Sequence, residues 1–218
     1  MTNKGKFIVF EGIDASGKGT QSNLLCERFD ELKINYIYTR EPLMEISSIS
    51  RLINGVADLT AKYNGLTPQN SKKFKLAPQT MSLLFAADRA EHVQKIIIPT
   101  LEKGINVVCD RYYASSLAYQ GALDNVDEDW ILQINRFCIQ PDIVFLLDID
   151  PNKSLNRIKG EKDRRHAEFE ELSKQILVRD KYLKLSKQFK NWKIINADDN
   201  KESIFQKIIA ELKPLINC

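Results

Sequence analysis

Gly12 and Gly17 bracket four residues and Lys18 follows at once, inside the run FEGIDASGKGTQ from Phe10 to Gln21. Glycines at that spacing let backbone N–H groups turn inward around phosphate oxygens, and the lysine neutralises the outer phosphate charge. The run FIVF from Phe7 precedes the loop and a helical pattern follows it. Strand, loop and helix in that order are what a phosphate cradle requires, because the helix N-terminus adds its positive end. A glycine-rich turn that binds nothing has no use for the lysine. The phosphate-contacting set is therefore Gly12, Ala15, Ser16, Gly17, Lys18, Gly19 and Thr20. Gly19 stands where a hydroxyl usually follows the lysine to help hold Mg²⁺. Here the hydroxyl comes one residue later, at Thr20.

Two further constellations supply different chemistry. In CDRYYASSLAYQG, Cys109 to Gly121, an acidic residue ends a strand pattern at Asp110. A carboxylate at a strand's carboxyl end, facing a phosphate loop, is placed to orient water on Mg²⁺. Arg111 beside it can grip a phosphate through two N–H groups. Ser116, Tyr119 and Gln120 share a helix face at i, i+3 and i+4, so they can line one pocket. In SLLFAADRAEH, Ser82 to His92, Phe85 and Arg89 lie four apart on one helix face. An aromatic ring beside a guanidinium suits a planar base bearing a carbonyl, although the same pair also suits a core edge and a solvated charge. His92 and His166 have no metal-ligand spacing and read as ordinary residues.

These residues need a scaffold. Besides FIVF, the strand-like runs are YIYT from Tyr36, NVVC from Asn106, IVFLLDI from Ile143 and WKIIN from Trp192. Helical spacing separates them, for instance at Leu172, Ile176 and Leu183. Strands alternating with helices predict right-handed crossovers and an α/β fold with a parallel sheet covered on both faces. The chain of 218 residues suits one domain, residues 1–218. From Asn54 to Pro78 it turns polar, which predicts a surface excursion with at most a short helix. The segment RIKGEKDRRHAEFEE from Arg157 packs both charge signs around Gly160.

Composition narrows the setting. The net charge is +3, and Lys and Arg are interleaved with Asp and Glu, which predicts no nucleic-acid patch. The four cysteines Cys26, Cys109, Cys138 and Cys218 are scattered, which argues against zinc or a disulfide framework and fits a reducing cytoplasm. No apolar run reaches the length of a membrane span, so a soluble cytoplasmic protein without a membrane partner is expected.

The GKGT ending resembles adenylate kinases and points to nucleoside monophosphate kinases as a group. Together with TREP (Thr39–Pro42), LLFAADR (Leu83–Arg89), DRYYASSLAYQG (Asp110–Gly121), DIDP (Asp148–Pro151) and RDKYLKLS (Arg179–Ser186), the chain is similar to thymidylate kinases over most of its length. That resemblance implies a P-loop NTPase three-layer sandwich with a five-stranded parallel sheet and a small lid, about residues 153–170. It implies transfer of the ATP γ-phosphoryl group to dTMP with Mg²⁺, giving dTDP and ADP, by a homodimer. Kinases of dUMP or UMP, and less directly a P-loop nucleotide switch, are the alternatives. The dTMP-contacting residues implied are Asp14, Glu41, Arg51, Phe85, Arg89, Arg111, Ser115, Ser116, Tyr119 and Gln120. Phe85 would stack on thymine and Arg89 would bond its O4, while Ser116 and Gln120 address the base or nearby polar atoms. Tyr119 would lie under the deoxyribose and Asp14 would meet the 3′-OH. Arg111 and Arg51 would hold the phosphate, with Glu41 close to it and its metal. Asp110 and Thr20 would serve Mg²⁺, through water. Ala15 and Ser16 occupy the loop positions where some of these kinases carry an arginine, so the catalytic arginine is expected in the lid beside Lys18. Arg164 matches the lid motif, with Arg157 and Arg165 as alternates.

Overall fold

The computed structural model describes residues 4–43, 49, 76–158 and 165–216, with the backbone alone for residues 165–170. The five expected strands all form: β1 Phe7–Glu11, β2 Tyr36–Arg40, β3 Asn106–Asp110, β4 Ile143–Asp148 and β5 Trp192–Asn196. They make one parallel sheet in the order β2-β3-β1-β4-β5. β1 is central and every one of its residues is buried, as a strand covered by helices on both faces must be. Phe10 pairs with Asp110 and also with Phe145. The carboxyl ends of β1 and β3 therefore open side by side, and the glycine loop lies next to the Asp110–Arg111 turn.

Among the described residues, eight α-helical segments with defined bounds lie between and after the strands. They are α1 Lys18–Glu31, α2 Pro78–His92, α3 Ile98–Glu102, α4 Tyr113–Ser116, α5 Glu128–Ile134, α6 Pro151–Ile158, α7 Arg165–Ser186 and α8 Lys201–Leu212. α1 begins at Lys18 because Gly17, at φ 99°, turns the chain through a left-handed conformation that other residues resist. α5 and α8 start where Asp127 and Asn200 accept the N–H groups of Trp130 and Ser203. A π-helical turn, Val93–Ile97, joins α2 to α3. Pro99 follows it; proline has no N–H for the preceding turn, and a wider turn accommodates the loss.

α7 forms over the region where Leu172, Ile176 and Leu183 predict a helix, but a different stripe is buried. Gln175, Val178, Tyr182 and Leu185 face inward, and Ile176 is exposed. The reason is chemical. Tyr182 is apolar over its ring and has a hydroxyl to spend on a buried carboxylate, whereas hydrophobicity alone ranks Ile176 first. The polar stretch 54–78 lies outside the described residues except for Leu76, Ala77 and Pro78. Of the lid segment 153–170, residues 159–164 lie outside them as well.

Candidate active site

The glycine loop closes on itself through Lys18, whose ammonium donates to the carbonyl oxygens of Gly12 at 3.0 Å and Ile13 at 2.8 Å. Burial depresses the Lys18 pKa to about 8, with the Arg111 charge adding to the effect against Asp110, Asp14 and Glu11. A Cβ on Gly12 would sit 2.7 Å from the Leu147 carbonyl oxygen, so only glycine fits there. A Cβ on Gly17 would meet nothing within 4 Å, which is the open side of the cradle. That cavity, about 540 Å³, is lined by the loop from Asp14 to Gln21 and by Arg40, Asp110, Arg157 and Lys201 among others. Ser16 Oγ and Asp110 Oδ1 are buried beside it without a hydrogen-bond partner among the described residues. Such atoms suit a phosphate oxygen and a hydrated divalent cation respectively. Thr20 is exposed on the cavity lining.

Arg111 adopts φ 72°, a left-handed conformation unusual for a side-chain-bearing residue and concentrated at functional sites. Its guanidinium pairs with Asp14, donates to Ser115 Oγ at 3.3 Å and lies over the Tyr119 ring, 5.1 Å from its centre. Beneath it sits Glu11, fully buried, accepting from the Tyr112 N–H at 2.8 Å, Ser115 Oγ at 2.8 Å and Tyr182 Oη at 2.9 Å. Burial raises the Glu11 pKa, against the pull of these donors and Arg111. Three donors on β3's exit turn, α4 and α7 therefore converge on one carboxylate under Arg111.

A second cavity, about 260 Å³, lies on the other side of Arg111. Asp14, Glu41, Pro42, Phe85, Asp88, Arg89, Arg111, Tyr112, Ser115, Ser116, Tyr119 and Gln120 line it. The π-helical turn Leu117–Gly121 continues α4 and carries Tyr119 and Gln120 onto the same wall as Ser116. Arg89 is buried, with Nε donating to Glu41 Oε2 at 2.6 Å, Nη1 to Asn135 Oδ1 at 2.5 Å and Nη2 to Ser116 Oγ at 3.2 Å. Burial opposes its charge, and Glu41 more than offsets that, so its pKa stands above the ordinary value. A guanidinium offers five N–H groups, so three fixed bonds leave two to address a ligand. Asp14 and Arg111 line both cavities, which makes them the shared wall between the glycine-loop cavity and the one lined by Phe85 and Tyr119.

The family model for thymidylate kinase matches residues 10–208. The chain belongs to the thymidylate kinase family. The probable thymidylate kinase of Thermococcus kodakarensis is 43% identical over 211 residues, covering 96% of this chain and 98% of its own. The thymidylate kinase of Prochlorococcus marinus is 39% identical over 222 residues, 98% of each chain. The crystal structure of the thymidylate kinase from Ehrlichia chaffeensis superposes with a TM-score of 0.69 at 27% identity, over 96% of this chain and 99% of that one.

Most residues that the sequence singles out in this chain meet at the two cavities. Arg51 and Arg164 lie outside the described residues, and for Arg165 only the backbone, the first residue of α7, is described. Arg157 is placed: Nη1 donates to the Ala15 carbonyl and Nη2 to that of Ala197, both at 3.2 Å. Ser154, one turn earlier, donates to the Asp14 carbonyl at 2.5 Å, so α6 is docked on the glycine loop. Glu41, expected beside the substrate phosphate and its metal, gives Oε2 to Arg89 and Oε1 to His92. Sequence reasoning assigned nothing to Glu11, Arg40, Asn135 or Lys201, and it set His92 aside. Glu11 carried a usable signal, an acid closing an apolar strand directly before a glycine loop. Arg40 stood inside the TREP run with no role of its own, and Asn135 carried no signal, because its partner Arg89 is 46 positions away.

Proposed function

We propose that this chain transfers the γ-phosphoryl group of ATP to dTMP, yielding dTDP and ADP. The observation that carries the reading is the shared wall. Asp14 and Arg111 divide a cavity built for a polyphosphate from one built for a planar base. A donor and an acceptor phosphate brought to opposite sides of one guanidinium are positioned for in-line transfer. The loop N–H groups and Lys18 hold the donor phosphates and take up charge as it spreads in the transition state. Arg111, and Arg51 from the undescribed segment, hold the acceptor phosphate. Phe85 stacks on the base, two N–H groups of Arg89 reach its carbonyl, and the Tyr119 ring supports the sugar whose 3′-OH meets Asp14. Mg²⁺, when bound, neutralises the donor phosphates. Asp110 with its unpartnered oxygen would hold its water, with Thr20 at the rim.

The catalytic arginine in this reading is Arg164, with Arg157 and Arg165 the alternates. Single-turnover transfer by Arg164→Ala beside Arg157→Ala and Arg165→Ala decides among them, and the catalytic arginine is the one whose loss costs on the order of a thousandfold. No helix among the described residues is long and apolar enough to cross a membrane. A cytoplasmic homodimer completes the proposal, to be checked by light scattering. The central test is a coupled assay with ATP and each of dTMP, dUMP, UMP and AMP. Release of ADP is expected with dTMP far above the rest, and equal turnover of AMP would overturn the assignment.

A further inference from the structure

His92 is wholly buried and lines neither cavity, yet both of its ring nitrogens are engaged. Nδ1 lies 3.0 Å from Glu41 Oε1, and Nε2 lies 2.8 Å from Thr39 Oγ1. An ionised carboxylate can only accept, so Nδ1 carries a proton whichever charge the ring bears. In the neutral ring Nε2 must then accept from the Thr39 hydroxyl, which fixes the tautomer. The second oxygen of Glu41 accepts from Arg89 Nε at 2.6 Å. A continuous chain thus runs from Thr39 in β2, through His92 in α2 and Glu41, back to Arg89 on the cavity wall.

We propose that His92 is a positioning residue for Arg89, and that through Glu41 it sets how strictly the cavity selects a base bearing a carbonyl. This rests on the dTMP reading above. The physical argument concerns Glu41, which is buried and has two oxygens to satisfy. With His92 donating to Oε1, only Oε2 draws on the guanidinium, and it does so at Nε. Without that donor, Oε1 is a buried acceptor with a full desolvation cost. The guanidinium that Oε2 already holds keeps two N–H groups outside its three bonds to Glu41, Asn135 and Ser116. A carboxylate that turns to take a second one binds the guanidinium in fork geometry. It then competes with the ligand carbonyl for the same protons. Ser116 and Asn135 hold the other side of Arg89, so they limit how far it turns but cannot replace the lost donor. A histidine serving only to fill the core would affect stability and both substrates alike.

The test compares His92→Phe, which keeps a ring and removes the N–H, with His92→Asn, whose amide can still donate where Nδ1 does. Thr39→Val removes only the partner of Nε2. For each, calorimetry gives the dissociation constants of dTMP and of dCMP, which carries an amino group where thymine has its carbonyl, and a coupled assay gives KM for ATP. His92→Phe is expected to weaken dTMP at least tenfold and to shrink the dTMP-over-dCMP preference by a similar factor, with KM for ATP within twofold. His92→Asn should recover most of the preference, and Thr39→Val should lose only a few-fold. An unchanged preference in the Phe variant, or in Thr39→Val should the Phe variant not fold, overturns the positioning role. An unaltered chain that is inert toward dTMP overturns both this inference and the kinase reading, which separates the two failures.

Discussion

The Lys18 ammonium sits against two carbonyl oxygens of its own loop, buried on the lining of the glycine-loop cavity. Its fold-level contacts are few, because both acceptors belong to the turn that Gly12 and Gly17 already impose. Lys18→Ala should therefore abolish transfer while leaving the melting temperature within a few degrees. Near-normal turnover in that variant would remove the cradle from the mechanism. Phe85 works at the other end. It is half-buried on the cavity wall, which leaves part of it open to a ligand. Phe85→Ala should raise KM for dTMP by about ten- to a hundredfold, the equivalent of ~1–3 kcal/mol of stacking, and leave KM for ATP nearly unchanged. Equal effects on both substrates would make Phe85 a packing residue only.

At the scale of elements, the site depends on two turns whose backbones ordinary side chains resist. The β1–α1 loop passes Gly12 at φ 145°, with its Cα facing the carbonyl of Leu147 at the end of β4. Gly12→Ala meets both a strained backbone and a 2.7 Å contact, neither of which a flexible side chain can relieve. The expected result is a protein that melts lower by ~1–3 kcal/mol and transfers phosphate poorly. Gly17→Ala meets the backbone strain alone, so it should cost less stability but still spoil phosphate binding, because its side chain enters the cavity. Melting curves and ATP titrations of the two variants check this order. The second turn, at Arg111, is held by Glu11 rather than by glycine. Its left-handed conformation rests on the three hydrogen bonds that Glu11 accepts from Tyr112, Ser115 and Tyr182.

For the whole molecule, the strand order brings the carboxyl ends of β1, β3 and β4 together, and the ligand-facing loops grow from that edge. The core behind it is continuous, with Phe10 and Phe145 in ring contact at 5.4 Å across β1 and β4. Both rings are fully buried. Phe145→Ala should destabilise by ~3–5 kcal/mol. At about 2–4 °C per kcal/mol for a chain of this size, that lowers the melting temperature by roughly 6–20 °C. Because the site hangs on the ends of these same strands, saturating dTMP and ATP should restore part of the loss by mass action. Thermal melts with and without both nucleotides measure it, and a variant that nucleotides fail to stabilise would mean the sheet edge no longer forms the site.

Contiguous motifs were legible before any folding, because their chemistry is local. Gly12, Gly17 and Lys18 shape a loop whatever packs around it, and Asp110 through Gln120 carry their spacing on one strand end and one helical wall. The strands were legible for a related reason: an apolar run as short as Ile143–Leu147 between helices has few homes except the middle of a parallel sheet. What the sequence left open were partnerships between distant residues. Arg89 and Glu41 are 48 positions apart, His92 and Thr39 53, and Glu11 and Tyr182 171. No periodicity links such pairs, since each meets only after crossovers have ordered the strands. The same limit explains α7, whose hydrophobic pattern announced a helix but not its inner face. The face is chosen by Glu11, a buried carboxylate that needs a hydroxyl donor, and only the tertiary fold puts Tyr182 within its reach.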